Sequence, residues 1–204
     1  MKTIDKNIFF MSDSHFGHKN ICKGVSTWED KSGCRNFDTI EEMNKIIIDG
    51  INNIVKENDI LYHNGDFSFG GVKNILEFRR RINCKEIHLT LGNHDLNILR
   101  NVIVDGIPVQ ELFTSVQHYK EISINKQKII LCHYSMRVWN EHHKNSIHLY
   151  GHSHSSLEKI PHGKSIDIGI DNSFKLFGEY RPFSLEEIIE IMNKRSIISL
   201  DHHI

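Results

Sequence analysis

The sequence predicts an α/β fold of two stacked β-sheets with helices on the outside. In the first half, short apolar runs alternate with amphipathic stretches in the order strand, helix, strand, helix, strand, a pattern typical of βαβ units and a largely parallel sheet. In the second half, strand-like runs follow one another with turn residues between them, which indicates a second, β-rich sheet. Because no linker-like segment divides the halves, we expect a single domain over residues 1–204.

Three strands and two helices are predicted in the first half. The predicted strands are the apolar runs 8–11, 60–63 and 87–91. The first helix follows Thr39, which forms a capping-box pattern with Glu42, and apolar residues recur at helical spacing as far as Val55. The second is predicted over about 72–82. The polar stretch 16–37 has little periodicity and contains three glycines, so we expect a long functional loop.

Four further strands and one helix are predicted in the second half. The predicted strands are 119–124, 128–132, 147–150 and 165–170. The first two flank Asn125-Lys126-Gln127, which indicates a hairpin. The last one ends at Asp171 and Asn172, which we expect to support neighbouring loops without binding a metal. Ser184 and Glu187 form a second capping-box pattern and predict a final helix.

Composition limits the partners and the location of the protein. The 25 Lys and Arg residues nearly balance 26 Asp and Glu residues, which does not favour an extended nucleic acid as partner. The four cysteines form no Cys-x-x-Cys pair, so we expect reduced thiols and a cytoplasmic location. No segment approaches the ~20 apolar residues of a membrane span, so no membrane partner is expected.

Metal-competent side chains follow the predicted strands at the point where each strand ends. They are Asp13 and His15, Asp66, Asn93 and His94, His133, and His152 and His154. Because residues i and i+2 of a strand project to the same side, Asp13 and His15 are expected to converge on one centre. The same argument predicts that His152 and His154 converge on one centre. This many nitrogen and oxygen donors exceeds a single zinc site and fits two divalent ions that share a carboxylate.

The donor types restrict the choice of metal. Imidazole, carboxylate and carboxamide donors without a thiolate favour Mn²⁺, iron (Fe²⁺ or Fe³⁺) or Zn²⁺, and the sequence does not choose among them. A single histidine at a strand end is more often an ordinary polar residue than a ligand. Five strand ends that all supply ligands make that explanation poor.

The complete set of motifs resembles the calcineurin-like metallophosphoesterases. The motifs occur in the order of that family and are Asp13-x-His15, Gly65-Asp66, Gly92-Asn93-His94-Asp95, His133 and Gly151-His152-x-His154. The segments 16–20 and 169–172 further resemble a small bacterial and phage-associated branch. The resemblance implies a four-layer α/β/β/α sandwich, with two stacked mixed β-sheets flanked by helices, in agreement with the fold predicted above.

The resemblance also implies a division of the ligands. Asp13, His15 and His154 would hold one ion, Asn93, His133 and His152 the other, and Asp66 would bridge the two. The implied enzyme is a phosphoric ester hydrolase that uses a hydroxide bridging two metal ions to attack a small or nucleotide-type phosphate ester. A non-catalytic scaffold that binds a partner protein is the competing function, and it is disfavoured because no ligand is missing.

Two residues beside the ligands receive catalytic roles from the same resemblance. His94 is expected to donate a proton to the leaving oxygen. This role favours a phosphodiester over a phosphomonoester, because a poor alkoxide leaving group needs that proton. Asp95 is expected either to orient His94 through a hydrogen bond or to stabilise the turn, and both alternatives stay open.

Three basic residues are candidates for contact with the substrate phosphate. His18 follows a predicted ligand by three residues in a glycine-containing loop. Arg35 lies in the same long loop, and Arg137 follows His133 by four residues, with Tyr134 and Trp139 near it. For His18 and Arg137 the alternative is ordinary packing beside the site.

Overall fold

The computed structural model describes residues 6–198 and residue 200. Its strands are β1 (Ile8–Met11), β2 (Ile60–His63), β3 (Glu86–Thr90), β4 (Ile103–Val104), β5 (Ile107–Pro108), β6 (Ser115–Gln117), β7 (Tyr119–Ile124), β8 (Gln127–Cys132), β9 (Ile147–Tyr150), β10 (Ser165–Asp167) and β11 (Phe183–Ser184). Its α-helices are α1 (Ile40–Ile54), α2 (Val72–Arg81), α3 (Leu96–Leu99), α4 (Ile170–Phe177) and α5 (Leu185–Asn193).

The strands form two mixed sheets and one short pair. The first sheet has the order β11-β1-β2-β3-β6, with β11 antiparallel and the other four strands parallel. The second has the order β10-β9-β8-β7, in which β7 alone runs antiparallel to its neighbour. Strands β4 and β5 pair with each other. The predicted fold class, an α/β fold of two mixed sheets flanked by helices, is confirmed.

Helices α1 and α2 pack on one face of the first sheet. The Thr39 side chain caps α1 by accepting a hydrogen bond from the Glu42 N–H (3.2 Å), as the sequence predicts. The buried face of α1, with Met43 and Ile47, joins Leu61 of β2 in one apolar cluster. Burial of one such aliphatic side chain stabilises the fold by about 1.5–3 kcal/mol.

A second apolar cluster joins the two sheets. It contains Phe10 of the first sheet, Leu131 and Leu149 of the second sheet, and Ile188 of α5. Polar bonds add to this contact close to the ends of β1 and β2. The Ser12 N–H donates to the Ile168 carbonyl (3.0 Å), and the Asn64 amide donates to the Leu149 carbonyl (2.8 Å). The carboxyl ends of strands from both sheets are therefore neighbours.

The structure corrects the last predicted strand. β10 ends at Asp167, and α4 begins at Ile170, so Asp171 and Asn172 lie in the first turn of a helix. The alternation of Ile166, Ile168 and Ile170 continues past the strand because all three side chains are buried. The buried isoleucines therefore recur every second residue even beyond the end of the strand, which is why the sequence pattern predicts a strand that is too long.

The predicted hairpin is confirmed, with a tighter turn. Asn125 and Lys126 both have positive φ angles, 49° and 68°, which is typical of a two-residue turn that matches the twist of the strands. β8 therefore begins one residue earlier than predicted, at Gln127. Within the part of the chain that the structure describes, no helix is long and apolar enough to cross a membrane.

Candidate metal centre

The seven predicted metal ligands meet at the carboxyl ends of the strands. They lie in the loops after β1, β2, β3, β8 and β9, and are Asp13, His15, Asp66, Asn93, His133, His152 and His154. Backbone hydrogen bonds hold these loops together. The His15 N–H donates to the Asp66 carbonyl (3.0 Å), and the Gly151 N–H donates to the His133 carbonyl (2.9 Å).

The ligands form two groups. In the first, one ligand atom each from Asp13, His15 and His154 lies within 4.8 Å of the others. In the second, Asp66, His133 and His152 meet the same limit. Asn93 belongs with the second group, because its Oδ1 lies 3.1 Å from His133 Nε2 and 2.9 Å from His152 Nδ1.

Asp66 lies between the two groups. Its Oδ2 atom is 3.5 Å from Nε2 of His15 in the first group and 3.5 Å from Nε2 of His133 in the second. Its Oδ1 atom accepts a hydrogen bond from the main-chain N–H of His94 (2.9 Å). One carboxylate oxygen is thus held in place and the other faces ligands of both groups.

Five of these ligands have left-handed backbone conformations that are uncommon for residues other than glycine. The φ angles are 56° for Asp13, 48° for His15, 54° for Asp66, 65° for His152 and 46° for His154. Such conformations cost on the order of 1–3 kcal/mol each and occur mainly at functional sites. They also correct the strand-geometry argument, because His152 and His154 do not follow a strand path and belong to different groups.

Two glycines allow the loops to approach the carboxylates. A Cβ atom at Gly92 would overlap the Asp66 carboxylate, and one at Gly151 would overlap the Asp13 carboxylate and the Ser12 hydroxyl. A larger residue at either position would displace a predicted ligand.

The donor atoms of the centre are better suited to bind a metal ion than to form hydrogen bonds with one another. Both ring nitrogens of His15 are buried and have no hydrogen-bond partner among the described residues. His133 Nδ1 lies 2.7 Å from the Asn64 carbonyl, which can only accept, so Nδ1 carries the proton. In the neutral ring, Nε2 then directs a lone pair toward Asp66, which is an arrangement that a cation satisfies.

Several buried carboxylates also lie close together at this centre. Burial raises the pKa of Asp13 well above its usual range. The charge of His154 opposes this shift, and the neighbouring carboxylates of Asp167 and Asp66 add to it. Burial lowers the pKa of His15 well below its usual range, so that imidazole is neutral and suited to bind a metal. A divalent ion at each group would neutralise the buried negative charge.

The Arg35 side chain supports the loops of the candidate centre. Its guanidinium is buried and donates to the carbonyls of Asp13 (2.6 Å) and Ser14 (2.8 Å) and to both oxygens of Asp171. These bonds give no support to the predicted contact of Arg35 with a substrate phosphate, which stays a prediction. The side chain is occupied by partners that are far from it in the sequence.

Asp171 connects Arg35 to the predicted metal ligand His154. Its Oδ2 lies 2.6 Å from Nδ1 of His154. Although burial alone raises the pKa of Asp171, Arg35 and His154 hold that pKa well below its usual range. Burial lowers the pKa of His154, but the hydrogen bond and charge of Asp171 outweigh this effect and raise it. Nε2 of His154 faces Asp13 Oδ1 at 4.0 Å, so the carboxylates of Asp13 and Asp171 both favour positive charge at this position.

Asp95 stabilises the turn that carries Asn93 and His94. Its buried carboxylate accepts hydrogen bonds from the main-chain N–H groups of Asp66 (2.8 Å), Gly92 (2.8 Å) and Phe67 (3.0 Å). Of the two predicted roles, these bonds support the turn and not a direct hydrogen bond to the His94 ring. Asp95 thereby ties the loop after β3 to the loop after β2.

A cleft of about 800 Å³ adjoins the first group of ligands. His15, His94 and His154 line it, together with His18, whose ring lies 5.4 Å from that of His15. Burial lowers the pKa of His18 to about 4, so its ring is neutral at pH 7 and offers no positive charge to a phosphate.

The predicted contact of Arg137 with substrate has no support from the cleft. Arg137 is exposed, lies outside the cleft lining that the described residues form, and accepts a hydrogen bond from His162 at its carbonyl. Trp139 is buried against His148 and His162 and is likewise not part of the cleft lining that the described residues form. Tyr134 does reach the centre, with its ring 4.9 Å from that of His152.

Sequence reasoning missed three side chains around the centre. Trp28 and Phe69 line the cleft. Asp167 accepts hydrogen bonds from the Ser155 N–H (2.8 Å) and the Ser153 hydroxyl, and so fixes the loop that carries His152 and His154. An isolated tryptophan in a polar loop was the available signal for Trp28. Asp167 looked like an ordinary strand residue.

Comparison with known proteins finds a family model that matches this chain and relatives that are similar to it. The family model for calcineurin-like phosphoesterases matches residues 6–182. An uncharacterized protein, MJ1445, of Methanocaldococcus jannaschii is 28% identical over 200 residues, which cover 95% of each chain.

Among solved structures, a protein of unknown function from Aquifex aeolicus, AQ665, is similar with a TM-score of 0.64. The two chains are 21% identical, and the match covers 92% of this chain and 100% of the other. At that identity the likeness concerns the fold alone.

Proposed function

This chain belongs to the calcineurin-like phosphoesterase family, and we propose that it is a dinuclear metal-dependent hydrolase that prefers phosphodiesters to phosphomonoesters. The family uses divalent metal ions to hydrolyse phosphate esters. The number of ions, the preference for diesters and a small or nucleotide-type substrate are the parts that we propose. We also propose that residues 1–204 form one domain, since the family match extends from residue 6 to residue 182 across both sheets.

The position of Asp66 is the observation that carries this proposal. Asp13, His15 and His154 would hold one ion, and Asn93, His133 and His152 the other. A carboxylate oxygen at 3.5 Å from a ligand of each group is suited to bridge two ions. When bound, Mn²⁺, iron or Zn²⁺ would neutralise charge on the phosphate and make a water molecule acidic enough to attack it at neutral pH.

His94 is suited to protonate the leaving group. Its main-chain N–H is fixed by Asp66, while its side chain is exposed and lines the cleft. The ring lies 5.4 Å from that of His15 and packs edge-on against Phe69 at 5.1 Å. An imidazole held beside the first group of ligands can give a proton to the oxygen that departs from phosphorus. Alkoxides gain most from this proton, which is why we propose a diesterase.

The proposal is tested by comparing two chromogenic esters. With added Mn²⁺, the wild type is expected to hydrolyse bis(p-nitrophenyl) phosphate faster than p-nitrophenyl phosphate. Asp66→Asn should abolish most of the activity, whereas the matched variant Asp49→Asn, which changes an exposed aspartate of α1 that pairs with Lys45, should retain it. Faster hydrolysis of the monoester would overturn the diester preference. An absence of bound metal together with a stoichiometric protein partner would support the scaffold function instead.

A further inference from the structure

Three aromatic rings form a recess beside the metal centre that the proposed hydrolysis does not use. The recess consists of His18, Trp28 and Phe69, and all three line the same cleft as His15 and His94. Trp28 is 44% exposed and Phe69 is 36% exposed, so both present apolar surface to the cleft. Large exposed aromatics that face a cleft next to a catalytic centre are typical of ligand contact.

The rings are arranged in a continuous row that begins at the metal centre. Phe69 packs edge-on against His94 (5.1 Å) and its face stacks on His18 with 3.9 Å between ring centroids and 17° between planes. Trp28 stands perpendicular to His18 at 5.8 Å. His18 is also 5.4 Å from the ring of His15. A flat group in the recess and a phosphate at the metals would therefore be neighbouring parts of one small molecule.

Aromatic faces of this kind bind flat, π-rich rings with little dependence on which ring is present. Asn20, Asn74 and Lys19 also line the cleft and supply polar groups suited to the edges of a heterocycle. The recess offers only a few rings, and the chain has no excess of basic residues. These features fit one nucleobase better than a run of bases on an extended strand.

We propose that the recess of His18, Trp28 and Phe69 binds the base of a nucleotide-type phosphodiester whose phosphate lies at the metal centre. This inference rests on the proposed function, because it names the class of substrate for the same site. The residues of the recess select the substrate, and the ligands and His94 act on its phosphate.

The test uses two diesters that share one leaving group. The p-nitrophenyl ester of thymidine 5′-monophosphate carries a base, and methyl p-nitrophenyl phosphate does not. In the wild type, kcat/KM is expected to be higher for the thymidine ester by about 10-fold, the contribution expected from one stacked base. Trp28→Ala should reduce this ratio by a similar factor. Tyr119→Ala, which removes an exposed aromatic outside the cleft, should leave the ratio unchanged.

A second measurement reports binding without turnover. The fluorescence of Trp28 is expected to be quenched by thymidine 5′-monophosphate and not by inorganic phosphate, and the quenching should be lost in Trp28→Phe. Trp139, which is the other tryptophan of the chain, is buried away from the cleft and serves as the internal background.

The outcomes separate the two proposals. One outcome is that both esters are hydrolysed, that Trp28→Ala leaves the ratio of their kcat/KM values unchanged, and that thymidine 5′-monophosphate causes no quenching. This outcome would overturn the base site and leave the hydrolase. An equal loss with both esters in Trp28→Ala would assign the recess to the p-nitrophenyl leaving group, which also overturns the base site. Failure of the wild type to hydrolyse either ester would reject the hydrolase, and quenching alone would then decide whether the recess binds a base.

Discussion

The Oδ2 atom of Asp171 lies 2.6 Å from Nδ1 of His154. The same carboxylate receives two hydrogen bonds from Arg35, a buried side chain 136 residues away in the sequence. This contact fixes the orientation of the imidazole and directs Nε2 toward Asp13. A predicted metal ligand and its supporting carboxylate are thus joined to the loop after β1 through one guanidinium.

We predict that Asp171→Asn weakens metal binding by about 10–100-fold, the usual cost of losing a carboxylate behind a histidine ligand. The amide supplies only one acceptor where His154 and Arg35 need two. Isothermal titration of chelator-treated protein with Mn²⁺ measures the change. Asp105→Asn is the matched control, because that carboxylate is 60% exposed in a surface pair with Arg80. An unchanged affinity in Asp171→Asn would show that the contact is not needed for binding.

We predict that Arg35→Met lowers the free energy of unfolding by about 3 kcal/mol or more. The change leaves the Asp171 carboxylate and two buried carbonyl groups without their donor. Urea denaturation of the metal-free protein measures it, and Arg80→Met, at a side chain that is 60% exposed, should cost less than about 1 kcal/mol. A stable Arg35→Met protein with a raised KM would instead restore the substrate contact that the sequence indicated.

The strand ends were predictable from the sequence because two local signals coincide there. An apolar run with a period of two ends at a polar residue, and parallel strands bring such ends to one edge of a sheet. Asp13, Asp66 and Asn93, which follow three neighbouring strands of the first sheet, could therefore be expected to meet. The contact of Arg35 with Asp171 could not, because it joins a loop without periodicity to a helix that the sequence did not predict.

Backbone conformation explains the other differences. His152 and His154 lie in different groups, and both have positive φ angles, a conformation that no simple sequence pattern predicts for histidine. The sequence leaves both roles of Asp95 open, since the distances from its carboxylate to the N–H groups of Asp66 and Phe67 depend on the fold. Trp28 and Phe69 are 41 positions apart, and only the folded chain places them in one recess.

We predict that His94→Gln keeps both metal ions and lowers kcat by about 100-fold for an alkyl phosphodiester. The loss should be smaller for bis(p-nitrophenyl) phosphate, because p-nitrophenolate departs without a proton. Steady-state kinetics on the two substrates and metal analysis of the same sample measure the effect. Asn93→Ala provides the contrast, since it should weaken the ion held with His133 and His152. If His94→Gln loses a metal ion, the role that we propose for His94 is incorrect.

We predict that protonation of His148 destabilises the protein in mild acid. Burial lowers the pKa of His148 to about 4, and its Nε2 accepts a hydrogen bond from the Met136 N–H (3.1 Å). Since the ordinary pKa is 6.5, the unfolded chain binds the proton first as the pH falls. Stability from this group is complete above pH 6.5 and is lost as the pH falls toward 4, by about 3 kcal/mol in total.

Urea denaturation of chelator-treated protein at pH 7 and pH 5 tests this prediction. The other histidines are the same in the wild type and in His148→Gln, so the difference in pH dependence belongs to His148. The variant should lose about 2 kcal/mol less stability than the wild type between these pH values. An equal loss in the two proteins would contradict the assignment.

The number of metal ions required for turnover tests the central claim most directly. Chelator-treated protein is titrated with Mn²⁺, and bound metal and hydrolysis of bis(p-nitrophenyl) phosphate are measured in the same samples. We predict that the wild type binds two ions and reaches full turnover only with the second. Asp66→Asn should bind the second ion weakly and lose about 100-fold or more in kcat, because it removes the shared charge between the groups. Full turnover with a single ion, or no turnover of the wild type with Mn²⁺, Zn²⁺ or iron, would contradict a dinuclear phosphoester hydrolase.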